Sequence, residues 1–300
     1  MKQSLIQALQ NRLEEGRLLE NQPLKEYTSF RIGGAASVLL LPKTAAELQA
    51  CLRVLSEYGE TPYIIGAGSN ILAPDEGLDR VVICLRSMAE VRRVSENEIE
   101  AEAGALLSKT AVFAKNEGLS GMEFAHGIPG TVGGAVFMNA GAYGGEISHV
   151  CKAVTVLERS GEIRELSCDE AAFGYRTSRF ENSGEIVLCA RFSLIPASSD
   201  EIGAKMAELL QRRRASQPLE QPSAGSTFKR PVGGYAAALI DQAGLKGLQI
   251  GGAAVSEKHA GFVVNLGGAT AADVRALIAQ IQEKVKENSG IQLEPEVRIW

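Results

Sequence analysis

The sequence predicts an α+β fold, because a strand–helix–strand unit and a β-hairpin occur in the same chain. Apolar residues recur along the 300 residues both at helical spacing and in strict alternation. Hydrophobic residues make up 45% of the chain and charged residues 22%, which are ordinary values for a globular protein with its own core. The length corresponds to about two domains of roughly 100–200 residues each.

The first quarter of the chain predicts helix, strand, helix and strand in that order. Helical spacing of apolar side chains near the N-terminus is carried by Leu5, Ile6, Leu9 and Leu13. Residues 38–41 predict a strand, and Thr44 with Glu47 forms a capping box that begins the next helix. Residues 63–65 predict the following strand. Since a helical crossover joins parallel strands, we expect 38–41 and 63–65 to pair in parallel.

Alternation and helix caps predict the remaining elements in order. Strands are expected over residues 81–85, 99–103, 186–195, 261–266 and 291–300, and helices over 108–117, 201–214, 235–243 and 271–288. The segments 150–158 and 162–167 predict a hairpin. Ser167 with Glu170 predicts the start of a short helix.

Charge, cysteine and histidine patterns exclude several classes of protein. Lys and Arg number 31 and Asp and Glu number 36, so the net charge is −5, which excludes a generally basic protein that coats nucleic acid. Five cysteines without a Cys-x-x-Cys pair predict free thiols in a reducing cytoplasm, and three scattered histidines predict no metal site. No apolar run reaches the ~18 residues of a membrane span, and no signal-peptide core is seen. We therefore expect a cytoplasmic protein without membrane or nucleic-acid partners.

Glycine is the one over-represented residue, at 32 of 300 against a usual ~7%. Residues 66–70 form a first glycine-containing loop after a predicted strand, and residues 121–145, of which eight of 25 are glycine, form a second. Backbone amides in such loops can bind phosphate without a basic side chain. Because Ile71 stands where a Rossmann fingerprint has its third glycine, the short loop predicts a pyrophosphate contact rather than a Rossmann fold. Tight structural turns are the alternative for both loops.

Six segments in order carry a resemblance to a known family, namely residues 27–34, 66–72, 127–145, 174–178, 224–231 and 293–298. Together they resemble the UDP-N-acetylenolpyruvoylglucosamine reductase family, called MurB, whose FAD-binding domain is of the PCMH or vanillyl-alcohol-oxidase type. No long insertion follows Arg179 before the strand predicted at 186–195, which is similar to the shorter, loop-less (type II) branch.

The resemblance implies two FAD-binding subdomains, 1–62 and 63–197, and a substrate-binding domain, 198–300. An alternative place for the final strand of the substrate-binding domain is against the first subdomain. It implies non-covalent FAD, NADPH as co-substrate and a UDP-sugar as substrate. Within the family, NADPH reduces FAD, which then reduces UDP-N-acetylglucosamine enolpyruvate to UDP-N-acetylmuramate for peptidoglycan synthesis. The residues that the resemblance assigns to FAD are Arg31, Gly66, Ala67, Gly68, Ser69, Asn70, Ile71, Gly127, Ile128, Pro129, Gly130, Thr131, Gly133, Gly134, Asn139, Gly141 and Ala142.

The resemblance assigns catalysis to Arg176, Ser226 and Glu296. Hydride addition to C3 of the enolpyruvyl group leaves negative charge on C2 and its carboxylate. The planar guanidinium group of an arginine can bind the carboxylate that carries this charge, and a serine hydroxyl can donate a proton to C2. Glu296 lies on the polar face of the last predicted strand, where it would donate or orient a hydrogen bond. Arg179 and Glu294 are the alternatives for the two charged positions.

Substrate binding is implied for Tyr175, Arg214, Gly225 and Lys229. Arg214 ends a run of three arginines, whose other explanation is a favourable contact with a helix C-terminus.

Two other functions stay open. Another PCMH-type flavin oxidase or dehydrogenase, acting on an alcohol or sugar, would share the FAD loops. A non-catalytic nucleotide-binding protein would keep the pocket without the chemistry. No oligomeric state follows from the sequence.

Overall fold

The structure, a computed structural model, describes residues 3–300 and mixes helices with strands, which confirms the α+β class. The α-helices are α1 (Gln3–Gln10), α2 (Ala45–Glu57), α3 (Leu107–Asn116), α4 (Val132–Phe137), α5 (Phe180–Ser183), α6 (Ser199–Ser216), α7 (Ala236–Gln242) and α8 (Ala271–Ser289). The strands are β1 (Leu18–Pro23), β2 (Ala35–Leu40), β3 (Tyr63–Ile65), β4 (Ile71–Leu72), β5 (Leu78–Cys84), β6 (Val91–Ser95), β7 (Glu98–Glu102), β8 (Leu119–Ser120), β9 (Gly141–Ala142), β10 (Gly145–Glu146), β11 (Cys151–Leu157), β12 (Ile163–Ser167), β13 (Ile186–Ser193), β14 (Ile195–Pro196), β15 (Gln249–Ile250), β16 (Ala253–Val255), β17 (Val263–Asn265) and β18 (Arg298–Ile299).

The chain forms two compact units, each made of several stretches of sequence. Unit 1 takes in the chain up to Glu20, Val38–Ala67 and Asp79–Arg212. Unit 2 comprises Asn21–Ser37, Gly68–Leu78 and Arg213–Trp300. The division into 1–62, 63–197 and 198–300 stays a prediction.

Two sheets lie wholly or mostly in unit 1. The strand order is β1-β2-β5-β3 in one sheet and β12-β11-β13-β7-β6 in the other. The second sheet is antiparallel, and β11 with β12 forms the predicted hairpin, in which Leu157 pairs with Ile163. One continuous core joins side chains from both sheets and from α1, α2 and α3, among them Leu9, Leu48 and Phe192.

The parallel partner of β3 differs from the prediction. β3 pairs with β5, with Ile64 opposite Ile83, and β5 lies between β3 and β2 in the sheet. The intervening helix begins as predicted, because the Thr44 side chain accepts a hydrogen bond from Glu47 N at 3.1 Å. A crossover through this 13-residue helix is long enough to pass over one strand. Four of the seven residues of β5 are buried, as suits an inner strand, whereas β3 at the edge has one buried residue of three.

The short helix predicted after Ser167 does not form. Both hydrogen bonds of the capping box are present, from Ser167 N to Glu170 Oε2 at 2.9 Å and from Glu170 N to Ser167 Oγ at 3.2 Å. They close a turn instead, because Ala172 adopts a left-handed φ of +47°, which a continuing helix cannot contain.

Unit 2 rests on the antiparallel sheet β15-β16-β17, against which α8 packs with Leu277 and Ile281 fully buried. The chain ends in a strand only at Arg298–Ile299, where β18 pairs in parallel with β4. The strand predicted over 291–300 is therefore too long, because its partner β4 offers only two residues.

Two glycines of the stretch 244–268 have a packing role in unit 2. A Cβ at Gly251 would overlap the Asp273 carboxylate, and a Cβ at Gly252 would overlap Ala269 N. Gly252 N also donates to Asp273 Oδ2 at 3.2 Å. Close approach to the N-terminal turn of α8 thus explains this part of the glycine surplus.

Asp75 caps α8 from a distant part of the sequence. Its carboxylate accepts hydrogen bonds from Ala271 N at 2.7 Å and Ala272 N at 3.0 Å. We expect Asp75→Ala to lower the free energy of unfolding by about 1–2 kcal/mol, since two helix amides lose their acceptor. Chemical denaturation measures the change, with the neighbouring exposed Glu76→Ala as the control. An equal loss in both variants would contradict the capping role.

The five cysteines are free thiols, as predicted. Burial raises the pKa of Cys51 and of Cys151 to about 12, so both stay protonated at neutral pH. Within residues 3–300, no helix is long and apolar enough to cross a membrane. Over the same residues, no group of three or more His, Cys, Asp or Glu side chains could hold a metal ion.

Candidate functional site

In unit 1, the loop that follows β3 contacts the second glycine loop. A Cβ at Gly66 would overlap Thr131 Oγ1, so this close approach requires glycine. Arg86 holds the same loop, because its Nε donates to Gly66 O at 3.0 Å and its Nη2 to Ala67 O at 2.9 Å. Two segments assigned to FAD are therefore adjacent. Arg86 belongs to no sequence motif, and only these hydrogen bonds reveal its role.

The overlap predicts that Gly66→Ala disturbs both loops. We expect it to lower the free energy of unfolding by about 1–3 kcal/mol, as overpacking does, and to weaken FAD binding. Thermal unfolding of the apoprotein and titration with FAD measure the two effects. Gly203→Ala is the control: in α6 its Cβ would lie 3.5 Å from the nearest atom, so it should stabilise by about 0.5–1 kcal/mol. Unchanged stability and FAD affinity in Gly66→Ala would contradict the contact.

The main chain of the second loop is held by residues next to β7. Val132 N donates to Ala105 O and Gly133 N to Ala103 O, both at 2.8 Å. A Cβ at Gly133 would also lie 2.8 Å from Ala103 Cβ. Gly133 is thus required by packing and its amide is engaged with the protein, while its part in FAD binding stays a prediction.

Two buried polar atoms of this segment fit a bound nucleotide. His126 Nδ1 and Thr131 Oγ1 are shielded from solvent and have no hydrogen-bond partner within the described residues. Buried polar atoms are normally paired, so each calls for a partner that the described residues do not supply. The ring, hydroxyl and phosphate groups of FAD offer such partners, and residues 126–131 therefore fit it. Thr131 belongs to the predicted FAD set, whereas His126 does not.

Arg176 lies in a tight turn of unit 1, in which Gly174 N donates to Thr177 O at 3.0 Å. Its φ of +55° is uncommon for a residue with a side chain, and such strain concentrates at functional sites. Its Nη2 donates to Gly141 O at 2.9 Å, and its guanidinium carbon lies 5.1 Å from the centre of the Tyr175 ring. The turn thus holds a cation beside an aromatic ring that is 50% exposed.

Asn139 ties the second glycine loop to this turn. It is fully buried with φ +41°, and its Nδ2 donates to Gly174 O at 3.0 Å and to Glu146 Oε1 at 3.1 Å. Its Oδ1 accepts from Ser148 N at 2.9 Å. The hydrogen bond from the Ser148 hydroxyl lowers the pKa of the Glu146 carboxyl. The hydrogen bond from Asn139 and the positive charge of Arg176 lower it further. The side chain of Asn139 is engaged within the protein, so a contact with FAD would use its main chain.

Arg179, three residues after Arg176, has a structural role. Its guanidinium donates twice to the Glu185 carboxylate, at 3.0 and 2.9 Å, and once to Glu170 O at 3.2 Å. This bidentate pair occupies the guanidinium N–H groups of Arg179 that would otherwise bind a substrate carboxylate. Of the two arginines, Arg176 is therefore the better candidate.

In unit 2, Gly68 packs against the segment that carries Arg31. A Cβ at Gly68 would overlap Tyr27 O, and Ser29 N donates to Gly68 O at 3.1 Å. Arg31 is exposed and adopts φ +56°. The motif at 27–34 and the loop that begins at Gly68 therefore lie together, as expected if both contact one ligand.

Ser226 and Glu296 lie in neighbouring segments of unit 2. Glu296 N donates to Thr227 O at 2.8 Å, and Phe228 forms an isolated bridge with Pro295. Ser226 is half-buried, and its Oγ lies 3.5 Å from Phe228 O. The fold thus brings close together two segments, distant in sequence, that each carry a residue assigned to catalysis.

The same two segments hold an ion pair, in which Lys229 Nζ lies 2.5 Å from Glu294 Oε1. The Glu294 side chain is 69% exposed while Glu296 is half-buried, so Glu296 is the better candidate. Gly225 adopts φ +77°, which favours glycine. Arg214 is exposed in the last turn of α6. Substrate binding by Lys229, Gly225 and Arg214 stays a prediction.

Two family models match the chain. The one described as FAD binding domain matches residues 35–167, and the one described as UDP-N-acetylenolpyruvoylglucosamine reductase, C-terminal domain, matches residues 217–300. A UDP-N-acetylenolpyruvoylglucosamine reductase of Caldanaerobacter subterraneus subsp. tengcongensis is 48% identical over 100% of this chain and 99% of its own. One of Streptococcus pyogenes serotype M49 is 47% identical over 93% of this chain and 95% of its own.

Solved structures agree with these matches. The UDP-N-acetylenolpyruvylglucosamine reductase (MurB) of Thermus caldophilus superposes with a TM-score of 0.81 and 37% identity, covering 94% of this chain and 98% of its own. An alkyldihydroxyacetonephosphate synthase superposes with a TM-score of 0.52 and 16% identity, covering 65% and 41%, a likeness of fold alone. The FAD-binding fold expected from the sequence is thereby confirmed.

Proposed function

The chain belongs to the UDP-N-acetylenolpyruvoylglucosamine reductase family, and from this premise we propose that it reduces UDP-N-acetylglucosamine enolpyruvate to UDP-N-acetylmuramate with NADPH, in peptidoglycan precursor synthesis. It is a flavin oxidoreductase, with an FAD-binding domain over residues 35–167. The adjacency of the Ser226 and Glu296 segments carries the proposal, because reduction of an enolpyruvyl group needs a placed proton donor.

FAD, when bound, supplies the hydride chemistry that no protein side chain can carry. In unit 1, we expect Gly66, Thr131 and His126 to hold it, because glycine permits the close approach and the two buried polar atoms need partners. Arg86 keeps the first loop in place through the carbonyls of Gly66 and Ala67. We propose that FAD is held without a covalent bond.

Three residues of the chain act on the substrate. Arg176 binds the enolpyruvyl carboxylate, and its permanent charge stabilises the negative charge that develops there when C3 is reduced. Ser226 donates its hydroxyl proton to C2. Glu296 assists this proton transfer through a hydrogen bond, either by donating one itself or by orienting the proton donor.

An oxidase of an alcohol or sugar is the competing function, since the FAD-binding domain suits both. The match over residues 217–300 favours the reductase, because this segment contains both Ser226 and Glu296. The two functions differ in their electron donor, which makes them separable by experiment.

The purified protein provides the test. We expect the absorption spectrum of bound flavin and a consumption of NADPH that requires UDP-N-acetylglucosamine enolpyruvate. Oxygen consumption with sugars in the absence of NADPH would contradict the proposal and support the oxidase. Flavin absorption without substrate-dependent NADPH oxidation would contradict it as well.

A further inference from the structure

Asn70 binds the segment that contains Glu296, entirely within unit 2. Its Nδ2 donates to Glu296 O at 3.0 Å, and its main-chain oxygen accepts from Arg298 N at 3.0 Å. Directly after Asn70, β4 pairs in parallel with β18, with Ile71 opposite Arg298. The Asn70 side chain thus adds one hydrogen bond beyond the two-residue pairing of β4 with β18. This added bond is made to the carbonyl group of Glu296.

The main chain of Glu296 is held at both of its polar groups. Its N–H donates to Thr227 O at 2.8 Å, and its C=O accepts from the Asn70 amide. Fixing both groups of one residue fixes the direction in which its side chain leaves the backbone. The asparagine amide supplies the donor, whereas an aspartate would place a second acceptor against the carbonyl oxygen and an alanine would offer no donor.

We propose that Asn70 is a positioning residue, whose side chain aims Glu296 by holding its carbonyl group. The loop at 66–71 then has two tasks, since its main chain is predicted to contact FAD while one of its side chains serves Glu296. The inference rests on the proposed function, in which Glu296 assists proton transfer to the substrate. It follows that loss of the Asn70 amide should slow the half-reaction that consumes substrate far more than reduction by NADPH.

Hydrogen exchange tests the structural part without any ligand. In the full-length apoprotein, the amide hydrogens of residues 294 and 296–300 should exchange about two- to tenfold faster in Asn70→Ala and Asn70→Asp than in the wild type, the effect of losing one hydrogen bond. Asn288→Ala, at an exposed position near the end of α8, is the matched control. Exchange rates in the Asn70 variants equal to those of the control would overturn the proposal.

Rapid kinetics of the FAD-loaded protein tests the functional part. We expect Asn70→Ala to slow reoxidation by substrate about tenfold and to slow reduction by NADPH far less, since the FAD contact predicted for this loop uses its main chain. Combined with Glu296→Gln, it should cause little further slowing, because both changes act on one group. A higher FAD dissociation constant with equal slowing of both half-reactions would overturn the proposal, and so would independent, multiplicative effects in the double variant.

Wild-type kinetics separate this inference from the function on which it rests. Absence of substrate-dependent reoxidation in the wild type would contradict the proposed function, while hydrogen exchange would still decide whether Asn70 holds Glu296. A normal wild-type rate together with an unaffected Asn70→Ala would contradict the positioning role alone.

Discussion

Replacing Ser226 with alanine is expected to slow reoxidation of the flavin by substrate by about 10²–10⁴-fold, the usual contribution of a placed general acid. Reduction by NADPH should stay close to the wild-type rate, because Ser226 takes no part in that step. Anaerobic rapid mixing, first with NADPH and then with UDP-N-acetylglucosamine enolpyruvate, measures the two half-reactions separately.

The neighbours of Ser226 make alanine a specific substitution. Thr227 is buried, its N donates to Gly261 O at 2.8 Å, and its Oγ1 accepts from Val263 N at 3.0 Å. The main chain of this segment is therefore held by Thr227, independently of the Ser226 hydroxyl. Alanine removes the proton source and leaves the segment in place.

Ser223→Ala, in the same segment, is the matched control and should leave both half-reactions unchanged. If Ser226→Ala slowed reduction by NADPH as much as reoxidation by substrate, the site as a whole would be damaged. That result would contradict the role of Ser226 as the acid.

Arg176→Lys is expected to slow reoxidation by substrate by about 10²–10³-fold, comparable to the loss of one oxyanion donor, although the charge is kept. Lysine lacks the planar fork that binds a carboxylate through two parallel hydrogen bonds. It also cannot keep the geometry of the bond from Arg176 Nη2 to Gly141 O, 2.9 Å long, that holds the side chain beside Tyr175. Single-turnover kinetics over a range of substrate concentrations measures both the rate and the affinity.

Arg179→Lys is the control for this substitution. It breaks the bidentate pair with Glu185, whose side chain is only 7% exposed, and should lower the free energy of unfolding by about 1–3 kcal/mol. Both half-reactions should stay unchanged. Slowing of reoxidation in Arg179→Lys as large as in Arg176→Lys would contradict the assignment of the carboxylate to Arg176.

Local sequence patterns predicted most helices and the hairpin, because their causes are local. The Thr44 cap and the apolar face of α8 are examples, since each depends on residues within one or a few turns. The partner of β3 was mispredicted because strand order is a property of the whole sheet, which the spacing within one strand–helix–strand unit does not contain. The Ser167 turn was mispredicted because its capping signal is the same whether or not a helix follows.

In the candidate site, too, local patterns predicted some features, while contacts between distant residues came only from the structure. Glycine spacing predicted two loops that bind a phosphate-containing ligand, and a resemblance to a family was needed to name Arg176, Ser226 and Glu296. Packing of Gly66 on Thr131, the anchoring by Arg86 and the bond from Asn70 to Glu296 join residues far apart in the chain. No spacing rule within one sequence contains such contacts.

The exposure of Glu294 and the pairing of Arg179 also came only from the structure. Both observations separate a predicted catalytic residue from its nearest alternative in sequence. They leave Arg176 and Glu296 as the charged residues on which the proposed chemistry depends.

The most direct test of the proposed activity is a single anaerobic turnover with identification of the product. Protein reduced by NADPH is mixed with UDP-N-acetylglucosamine enolpyruvate in D₂O, and the product is analysed by mass spectrometry and NMR. We predict that the flavin is reoxidised and that UDP-N-acetylmuramate forms with deuterium from solvent at C2. Unchanged substrate with flavin that stays reduced until oxygen is admitted would contradict the proposal.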